Sequence, residues 1–339
     1  MTLGTALALL GVCVLVALAA HGWWTTRRAR GRRPPVSVLP PERVEPALAD
    51  ESPADLPPPA RTAPRRQARL DALIDAIVPL ALEAPITGEH ALQHMPPSRR
   101  AGSKPFYIEG LDAETGEWEA VAAGRRYGEL QAGVQMASRS GPLNEIEYSE
   151  FVQKLQTFAE AVGARADAPD MLEVVARARE LDQLTSPLDA QLTVTLRANG
   201  VAWSVGFLHQ IAARQGLVPG AVPGRLVLPS PEEGAPPMLV LSMDPQAALA
   251  EQPQDAVVRE CTLTLDVPQT PAEAEPFPAW HLVGKKLCDD LDATVVDDQG
   301  QPVALHAFDH IGRELDSLYR KLDALDLSAG SPAARRLFS

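Results

Sequence analysis

Cysteine is scarce in this sequence, which has only Cys13, Cys261 and Cys288 among its 339 residues. Cys13 lies within a long apolar run, and the other two cannot form the disulfide framework typical of small secreted domains. Cys261 and Cys288 fall in segments with apolar periodicity. We therefore predict buried free thiols rather than a disulfide-rich extracellular protein.

Motifs of catalysis are missing as well. The sequence has no Gly-rich phosphate loop, no G-x-S-x-G and no pair of C-x-x-C motifs. His90 and His94 lie four residues apart, as do His306 and His310, but neither pair encloses the glutamate of a metalloprotease. The aspartates of residues 289–298 lack the spacing of a calcium loop. We predict no enzymatic activity, no catalytic residue, no metal site, no cofactor and no small-molecule substrate.

Charge is absent from Leu3 to Ala20, and the apolar character extends through Trp24. About 20 such residues suffice to cross the hydrocarbon core of a bilayer as a helix. No basic residue precedes the run, as one would in a signal peptide. A cluster of arginines follows it instead, and the positive-inside rule places such a cluster in the cytoplasm. These arginines are Arg27, Arg28, Arg30, Arg32 and Arg33.

These features predict a single-pass anchor over residues 1–24, with the N-terminus in the periplasm and the bulk of the chain in the cytoplasm. Trp23 and Trp24 would lie at the membrane interface, where aromatic residues are enriched. The alternative is a cleaved signal peptide, with Ala17 to Ala19 as the cleavage region and the mature protein exported to the envelope.

The remaining charges are unevenly distributed. Residues 1–67 carry nine Lys/Arg against five Asp/Glu, whereas the rest of the chain carries 22 against 39, a net charge of −17. So acidic a body repels nucleic acid, and we expect no nucleic-acid partner. Pro34 to Pro64 contains ten prolines and no aromatic residue. We therefore predict that residues 25–67 form a basic juxtamembrane stretch and a disordered Pro-rich linker.

Apolar periodicity in the body predicts two successive α+β units, over residues 68–186 and 187–326. In the second unit, "AQLTVTLRA", "GRLVLPS", "PMLVLSMD" and "RECTLTLDVP" read as strands. The segment "WSVGFLHQIAARQG" reads as a helix with Phe207, Leu208 and Ile211 inward, and a second helix begins near Trp280. The first unit repeats this order, and its last helix, "ARARELDQL", echoes "HIGRELDSL" of the second. Residues 327–339 are predicted to be a disordered tail.

The layout resembles the cell-division protein ZipA family. "HGWWTTRRARG" is similar to the end of the family's membrane anchor, "ATVVDDQGQPV" with the helix after it is similar to the end of its C-terminal domain, and "TLTLDVP" is similar to its central strand. The resemblance implies an α+β fold with an N-terminal transmembrane helix, a disordered Pro-rich linker and two tandem ZipA-C-like domains of antiparallel sheet plus helices. The family is usually described with one such domain.

The resemblance also implies a function. Family members bind the C-terminal peptide of FtsZ on the open face of the sheet and tether the division ring to the inner face of the cytoplasmic membrane during septum assembly. Strand alternation predicts which side chains line that face in the second unit. They are Thr193, Thr195, Val227, Met238, Val240, Thr262 and Thr264. In the first unit, Ile77 and Tyr107 would point outward. A membrane-tethered adapter for a partner other than FtsZ is the remaining alternative.

Overall fold

Two large antiparallel sheets, each backed on one side by helices, and two small two-stranded sheets are found in the part of the chain that the structure describes. The structure is a computed structural model, and it describes residues 69–249, 256–297, 300–303 and 306–339. The predicted anchor and linker, with Trp23, Trp24 and the five arginines, lie outside the described residues. The α+β class with antiparallel sheets is confirmed.

The first lobe, residues 70–188, contains a seven-stranded sheet of order β3-β4-β6-β1-β9, in which β2 pairs with β6 and β5 with β4. Its elements in chain order are β1 (Asp75–Leu82), β2 (Ile86–Thr87), α1 (Gly88–His94), β3 (Arg100–Ala101), β4 (Lys104–Asp112), β5 (Trp118–Ala120), β6 (Arg126–Gln135), β7 (Ala137–Ser138), β8 (Gly141–Pro142), α2 (Glu145–Val162), β9 (Ala164–Ala166) and α3 (Met171–Thr185). A short 3₁₀ turn, Ser186–Leu188, closes the lobe.

The second lobe, residues 189–324, contains a six-stranded sheet of order β12-β13-β14-β16-β10-β17. Its elements are β10 (Gln191–Ala198), β11 (Trp203–Ser204), α4 (Val205–Arg214), β12 (Val218–Pro219), β13 (Arg225–Leu228), β14 (Leu239–Ser242), α5 (Pro245–Ala248), β15 (Val257–Val258), β16 (Glu260–Asp266), α6 (Pro276–Leu291), β17 (Ala293–Val296) and α7 (His306–Ala324). The chain ends with α8 (Pro332–Leu337).

The two sheets share one pairing plan. The order β4-β6-β1-β9 of the first lobe corresponds, strand for strand along the chain, to β14-β16-β10-β17 of the second. A helix follows the corresponding strands in each lobe, and the first helix of each lobe is capped by a hydroxyl. Thr87 Oγ1 accepts from His90 N at 3.3 Å, and Ser204 Oγ accepts from Phe207 N at 3.2 Å.

Local sequence signals explain where the helices begin and end. Asn144 and Glu147 form a capping box at the start of α2, and Gly163 ends that helix with φ of +68°. In α4, the buried residues Leu208 and Ile211 lie on the inner stripe as predicted. Phe207 does not, because its side chain is 41% exposed, and that part of the prediction is wrong. Phe207 lies one turn before Ile211, at the edge of the buried stripe, where its side chain reaches solvent.

Each lobe has its own hydrophobic core between its sheet and its helices. Residues of the C-terminal region contribute to both cores. Ile311 and Leu315 of α7 contact the core of the second lobe, whereas Leu322 belongs to the core of the first. Leu337 and Phe338 are also buried in the first core. The described residues accordingly belong to one compact unit.

The prediction that residues 327–339 form a disordered tail is therefore wrong, because the structure places α8 in this segment. Ser331 caps α8 by accepting from Ala334 N, and Pro332 occupies the first turn, where a proline fits. Gly330 reaches φ of +79° beside Pro271, where a side chain would collide with the proline ring. The segment is too short to show periodicity, but its apolar residues find partners on the first lobe.

Polar contacts also connect the lobes. Arg139, in the β7–β8 turn, forms ion pairs with Asp189 at 2.6 Å and with Asp266 at 2.8 Å. From α8, Arg336 pairs with Asp75 at 2.5 Å, and Arg335 pairs with Glu232 at 2.6 Å. Within the described ranges, no helix is both long enough and apolar enough to cross a membrane.

Candidate partner-binding face of the second sheet

Six of the seven residues predicted for the open face lie on one side of the second sheet, the side away from its helices. We call this side the outer face. Their neighbours along the strands, including Val194, Leu241 and Leu263, are buried in the core. The seventh, Met238, precedes β14 and packs against the core of the lobe, so its placement on the open face is wrong. On the outer face, Thr193 is exposed and the other five are partly exposed, so the side chains remain accessible to a partner.

Cross-strand pairing arranges these residues in a row. Val218, Val227, Val240, Thr264 and Thr193 are paired in turn across five neighbouring strands. The hydroxyls of Thr193 and Thr264 are 3.0 Å apart and hydrogen-bonded to each other. One hydroxyl donates to the other, and the remaining three residues of the row are valines, so the row presents mainly methyl groups.

A second row runs parallel to the first and is more polar. Ser242, Thr262 and Thr195 are paired across β14, β16 and β10. The outer face thus changes from valines at the β12 and β13 edge to threonines at its centre. Apolar contact is concentrated at the valine end.

The valine end opens into a concavity of about 530 Å³. Val227 and Val240 form part of its lining, together with Val222, Pro229 and Pro237 from the adjoining loops. The sequence prediction missed Val218 and Val222, both of which are substantially exposed. The segment "LVPGAVPG" carries the signal that would have found them, because its prolines are typical of an edge strand, which is covered by a neighbour on one side only.

Ion pairs border the outer face. Arg197 pairs with Glu260 at 2.7 Å at one end of β10 and β16. Asp266 lies at the other end, where it accepts from Arg139 and from Gln191 Nε2. Arg225 on β13 is paired with Ser242 and adds a positive charge to the second row, whereas the first row carries no charged side chain and suits an apolar ligand segment.

The outer face of the first sheet is covered more fully than that of the second. Leu70 lies over Gly133, where an added Cβ would come within 2.6 Å of its side chain. Glu109, which is 1% exposed, accepts from the backbone N–H groups of Arg69 and Leu70. These contacts leave no open groove over this part of the sheet.

The two residues predicted to point outward there are only half-buried, as expected for that face. Tyr107 has the guanidinium groups of Arg69 and Arg336 over its ring, at 5.6 and 4.8 Å from the centroid. Ile77 pairs with Gly133, beneath Leu70. Arg336 comes from α8, which sequence patterning did not detect.

Asp75 is the buried acid of this covered region, with an exposure of 1%. Burial raises the pKa of its carboxyl group, and the ion pair with Arg336 opposes that shift without cancelling it. Gln135 Nε2 also donates to the backbone oxygen of Arg336 at 2.9 Å. The group therefore holds α8 against the first sheet.

Lys104 and nearby serines form the arrangement closest to a catalytic dyad. Lys104 Nζ donates to Ser138 Oγ at 2.8 Å, to Ser140 Oγ at 3.1 Å and to the backbone oxygen of Gly141. Burial lowers the pKa of this amine. However, the lysine is fully buried and its three donors are all used, so no substrate can reach the amine. The contacts stabilise the β7–β8 turn.

The thiols and histidines also have structural surroundings. Burial raises the pKa of Cys261 to about 12 and that of Cys288 to about 11, which makes both poor nucleophiles. The rings of His90 and His94 meet edge to face with centroids 4.9 Å apart. Among the described residues, no three His, Cys, Asp or Glu side chains are grouped as a metal site would require.

Comparison of the sequence with protein-family models gave no match, and comparison with curated proteins gave none either.

Proposed function

We propose that this chain is a membrane-anchored cell-division adapter of the ZipA type. It binds the C-terminal peptide of FtsZ on the outer face of the second sheet and tethers the FtsZ ring to the inner face of the cytoplasmic membrane. The observation that carries the proposal is the row from Val218 to Thr193, which is not covered by any described element. It ends in a concavity whose valines and prolines are bordered by Arg225, Glu232 and Glu233.

The geometry of the outer face suits an extended peptide. The row crosses five strands, and neighbouring strands are about 4.8 Å apart, so a segment of roughly six extended residues would span it. Apolar side chains of that segment would enter the concavity beside Val227 and Val240. Contacts of this size are individually weak, but many anchored copies facing one polymer gain strength from multivalency.

The contrast between the lobes supports the second lobe as the binder. Its outer face is accessible, whereas Leu70 and Arg336 lie over the corresponding face of the first lobe. The shared pairing plan of the two sheets supports the tandem description, with two ZipA-C-like domains in one chain. In this proposal the first lobe supports the second and does not bind FtsZ.

The anchor and the linker enter the proposal from the sequence. A Pro-rich segment in extended polyproline II rises about 3.1 Å per residue, so Pro34 to Pro64 could hold the binding lobe up to roughly 100 Å from the bilayer. The arginines after the anchor would contact anionic head groups on the cytoplasmic side. Such a tether suits the capture of a filament lying away from the membrane.

Binding of the FtsZ tail tests the partner. The C-terminal peptide of the same organism's FtsZ, immobilised on beads, should retain the full chain solubilised in mild detergent, and a scrambled peptide should not. Equal retention by both peptides would contradict FtsZ as the partner and favour an adapter for another protein.

Topology tests the compartment. A reporter that is active only in the cytosol, fused after Arg66, should be active. A reporter that is active only in the periplasm should be silent at the same position. The opposite pattern would support the exported protein with a cleaved signal peptide and would exclude any contact with cytoplasmic FtsZ.

A further inference from the structure

A cavity of about 370 Å³ lies on the helix side of the second sheet, at the edge formed by β17. We call it the α6 cavity. Six side chains and backbone positions define its wall, namely Trp280, Gly284, Cys288, Ala293, Val295 and Phe308. Its volume lies within the range of about 300–1,000 Å³ typical of small-molecule sites, and its wall is mainly apolar, as in such sites.

The course of α7 explains why the cavity exists. Phe308 packs against Trp280 near the start of α7, with ring centroids 6.1 Å apart. The far end of α7 instead contributes Leu322 to the core of the first lobe. Because the helix leads away toward the other lobe, the described residues cover the inner side of β17 only partly.

Gly284 contributes the hollow in the wall of α6. It lies four residues from both Trp280 and Cys288, so these three positions share one stripe of the helix. A Cβ at Gly284 would meet only Leu263 Cδ2, at 3.5 Å, which is an ordinary contact. Packing therefore does not require glycine here, although glycine destabilises a helix interior relative to alanine. A side chain larger than alanine at Gly284 would obstruct the cavity.

The rim of the cavity is polar and mostly donates hydrogen bonds. His281 and Lys285 follow each other by one turn along α6, and both are exposed. Thr294 lies across from them on β17, but its hydroxyl already donates to Asn199 Oδ1 at 2.6 Å, so the free donors are those of α6. The ring of His281 rests on Phe308, with centroids 4.6 Å apart. Asp289, one turn further along α6, is the acidic member of the rim. The donors are thus concentrated at the end nearer Trp280.

We propose that the α6 cavity binds a small, largely apolar monocarboxylate, with its apolar body against Trp280 and Gly284 and its carboxylate at Lys285 and His281. The site lies on the opposite side of the sheet from the outer face, so the inference does not depend on the proposed FtsZ binding. A charge-assisted hydrogen bond from Lys285 fixes the orientation of the ligand, and the apolar wall supplies most of the affinity.

Decanoate, used below its micelle concentration with the full chain, tests this site. Alkylation of Cys288, followed by mass spectrometry of its peptide, reports occupancy because the thiol lines the cavity. Burial raises the pKa of this thiol to about 11, so the reaction is run at alkaline pH with excess reagent, and its slow rate is compared with and without ligand. Decanoate should slow this alkylation in a saturable way. Cys261, which is only 2% exposed, should stay unreactive throughout and report that the lobe remains folded.

Two adjacent lysines provide a matched pair of variants. Lys285→Ala should weaken protection by decanoate about tenfold, the loss expected for one charge-assisted hydrogen bond, and should leave weaker protection by decanol unchanged. Lys286→Ala should have no effect, because Lys286 does not line the cavity. Gly284→Leu should abolish protection by both compounds, whereas Gly284→Ala should retain a folded lobe.

Absence of saturable protection by decanoate would overturn the proposal. Equal protection by decanol and decanoate, insensitive to Lys285→Ala, would overturn the carboxylate assignment. Stronger protection by decyltrimethylammonium would do the same, by showing that Asp289 selects the ligand.

Discussion

Val240 and Leu263 lie on neighbouring strands, and their opposite orientations give the outer face its simplest test. Val240 points outward and is partly exposed, whereas Leu263 is fully buried. Val240→Glu should weaken FtsZ-peptide binding at least tenfold, because a charge would replace an apolar side chain of the concavity, while stability changes by less than about 1 kcal/mol. Leu263→Asp should unfold the lobe, since an unpaired buried charge costs several kcal/mol, roughly 3–5. Peptide titration and urea unfolding measure the two effects.

Ile77→Glu provides the control for that pair on the first sheet. Its side chain is half-buried on a face that Leu70 and Arg336 partly cover. It should lower stability without selectively weakening peptide binding. Equal damage to binding from Ile77→Glu and Val240→Glu would assign binding to both sheets.

Asp75 and Arg336 predict a pH dependence. Burial raises the pKa of Asp75, so the folded state favours the protonated carboxyl group more than the unfolded chain does, and the carboxylate is tolerated at neutral pH because Arg336 balances it. Arg336→Met removes that balance and raises the pKa further. Its free energy of unfolding should therefore be lower than that of the wild type by about 3–5 kcal/mol at neutral pH. The deficit should shrink as the pH falls through the raised pKa of Asp75, above the ordinary value of about 3.9.

Urea unfolding at several pH values measures this deficit, with Arg179→Met as the control. Arg179 pairs with Glu145 on the surface, where both side chains are around half exposed, so its removal should change little at any pH. A deficit for Arg336→Met that stays constant with pH would mean that packing on Tyr107, rather than charge balance, explains the contribution of Arg336.

Among the secondary-structure elements, α8 contacts both lobes, and the sequence pattern did not predict it. Deleting residues 327–339 removes Leu337, Phe338 and the partner of Asp75 from the first core. Buried leucine and phenylalanine side chains contribute about 2–5 kcal/mol each, so the deletion should lower stability by more than about 5 kcal/mol. Calorimetry of the full chain and the truncated chain measures the loss.

Deleting Ser339 alone is the matched control for that truncation. Ser339 is exposed and its hydroxyl only donates to the backbone oxygen of Arg336. The melting temperature should then remain close to that of the full chain. If the chain lacking residues 327–339 melted at the same temperature as the full chain, the segment would contribute nothing to the first core. The prediction of a disordered tail would then stand.

The contrast between strands and α8 shows what local patterning can predict. Strand alternation assigns the outward residues of β10, β13, β14 and β16 correctly, because side chains alternate regardless of distant contacts. The covering of the first sheet could not be predicted, since Arg336 and Asp75 are separated by 261 residues. The misplacement of Phe207 has a similar origin: an apolar residue in a short helix does not by itself show which side meets the core.

At the scale of the whole molecule, the proposed linker should be independent of the folded body. Ten prolines in Pro34 to Pro64 leave little apolar surface to bury, so deleting about half of this segment should not change the melting temperature of the body. The undeleted chain is the control for this comparison. A marked shift in melting temperature would mean that the linker packs against the body.

Binding of the FtsZ peptide to the outer face of the second sheet can be located directly on the folded chain. Methyl-resolved NMR of the full chain in nanodiscs, with valine, threonine, leucine and isoleucine methyl groups labelled, can be followed while the FtsZ C-terminal peptide is added. We expect saturable shifts centred on Val227, Val240 and Thr264, with Ile77 and Leu263 much less affected. Shifts centred on Ile77 and the first sheet, or no saturable shifts at all, would contradict binding at the outer face.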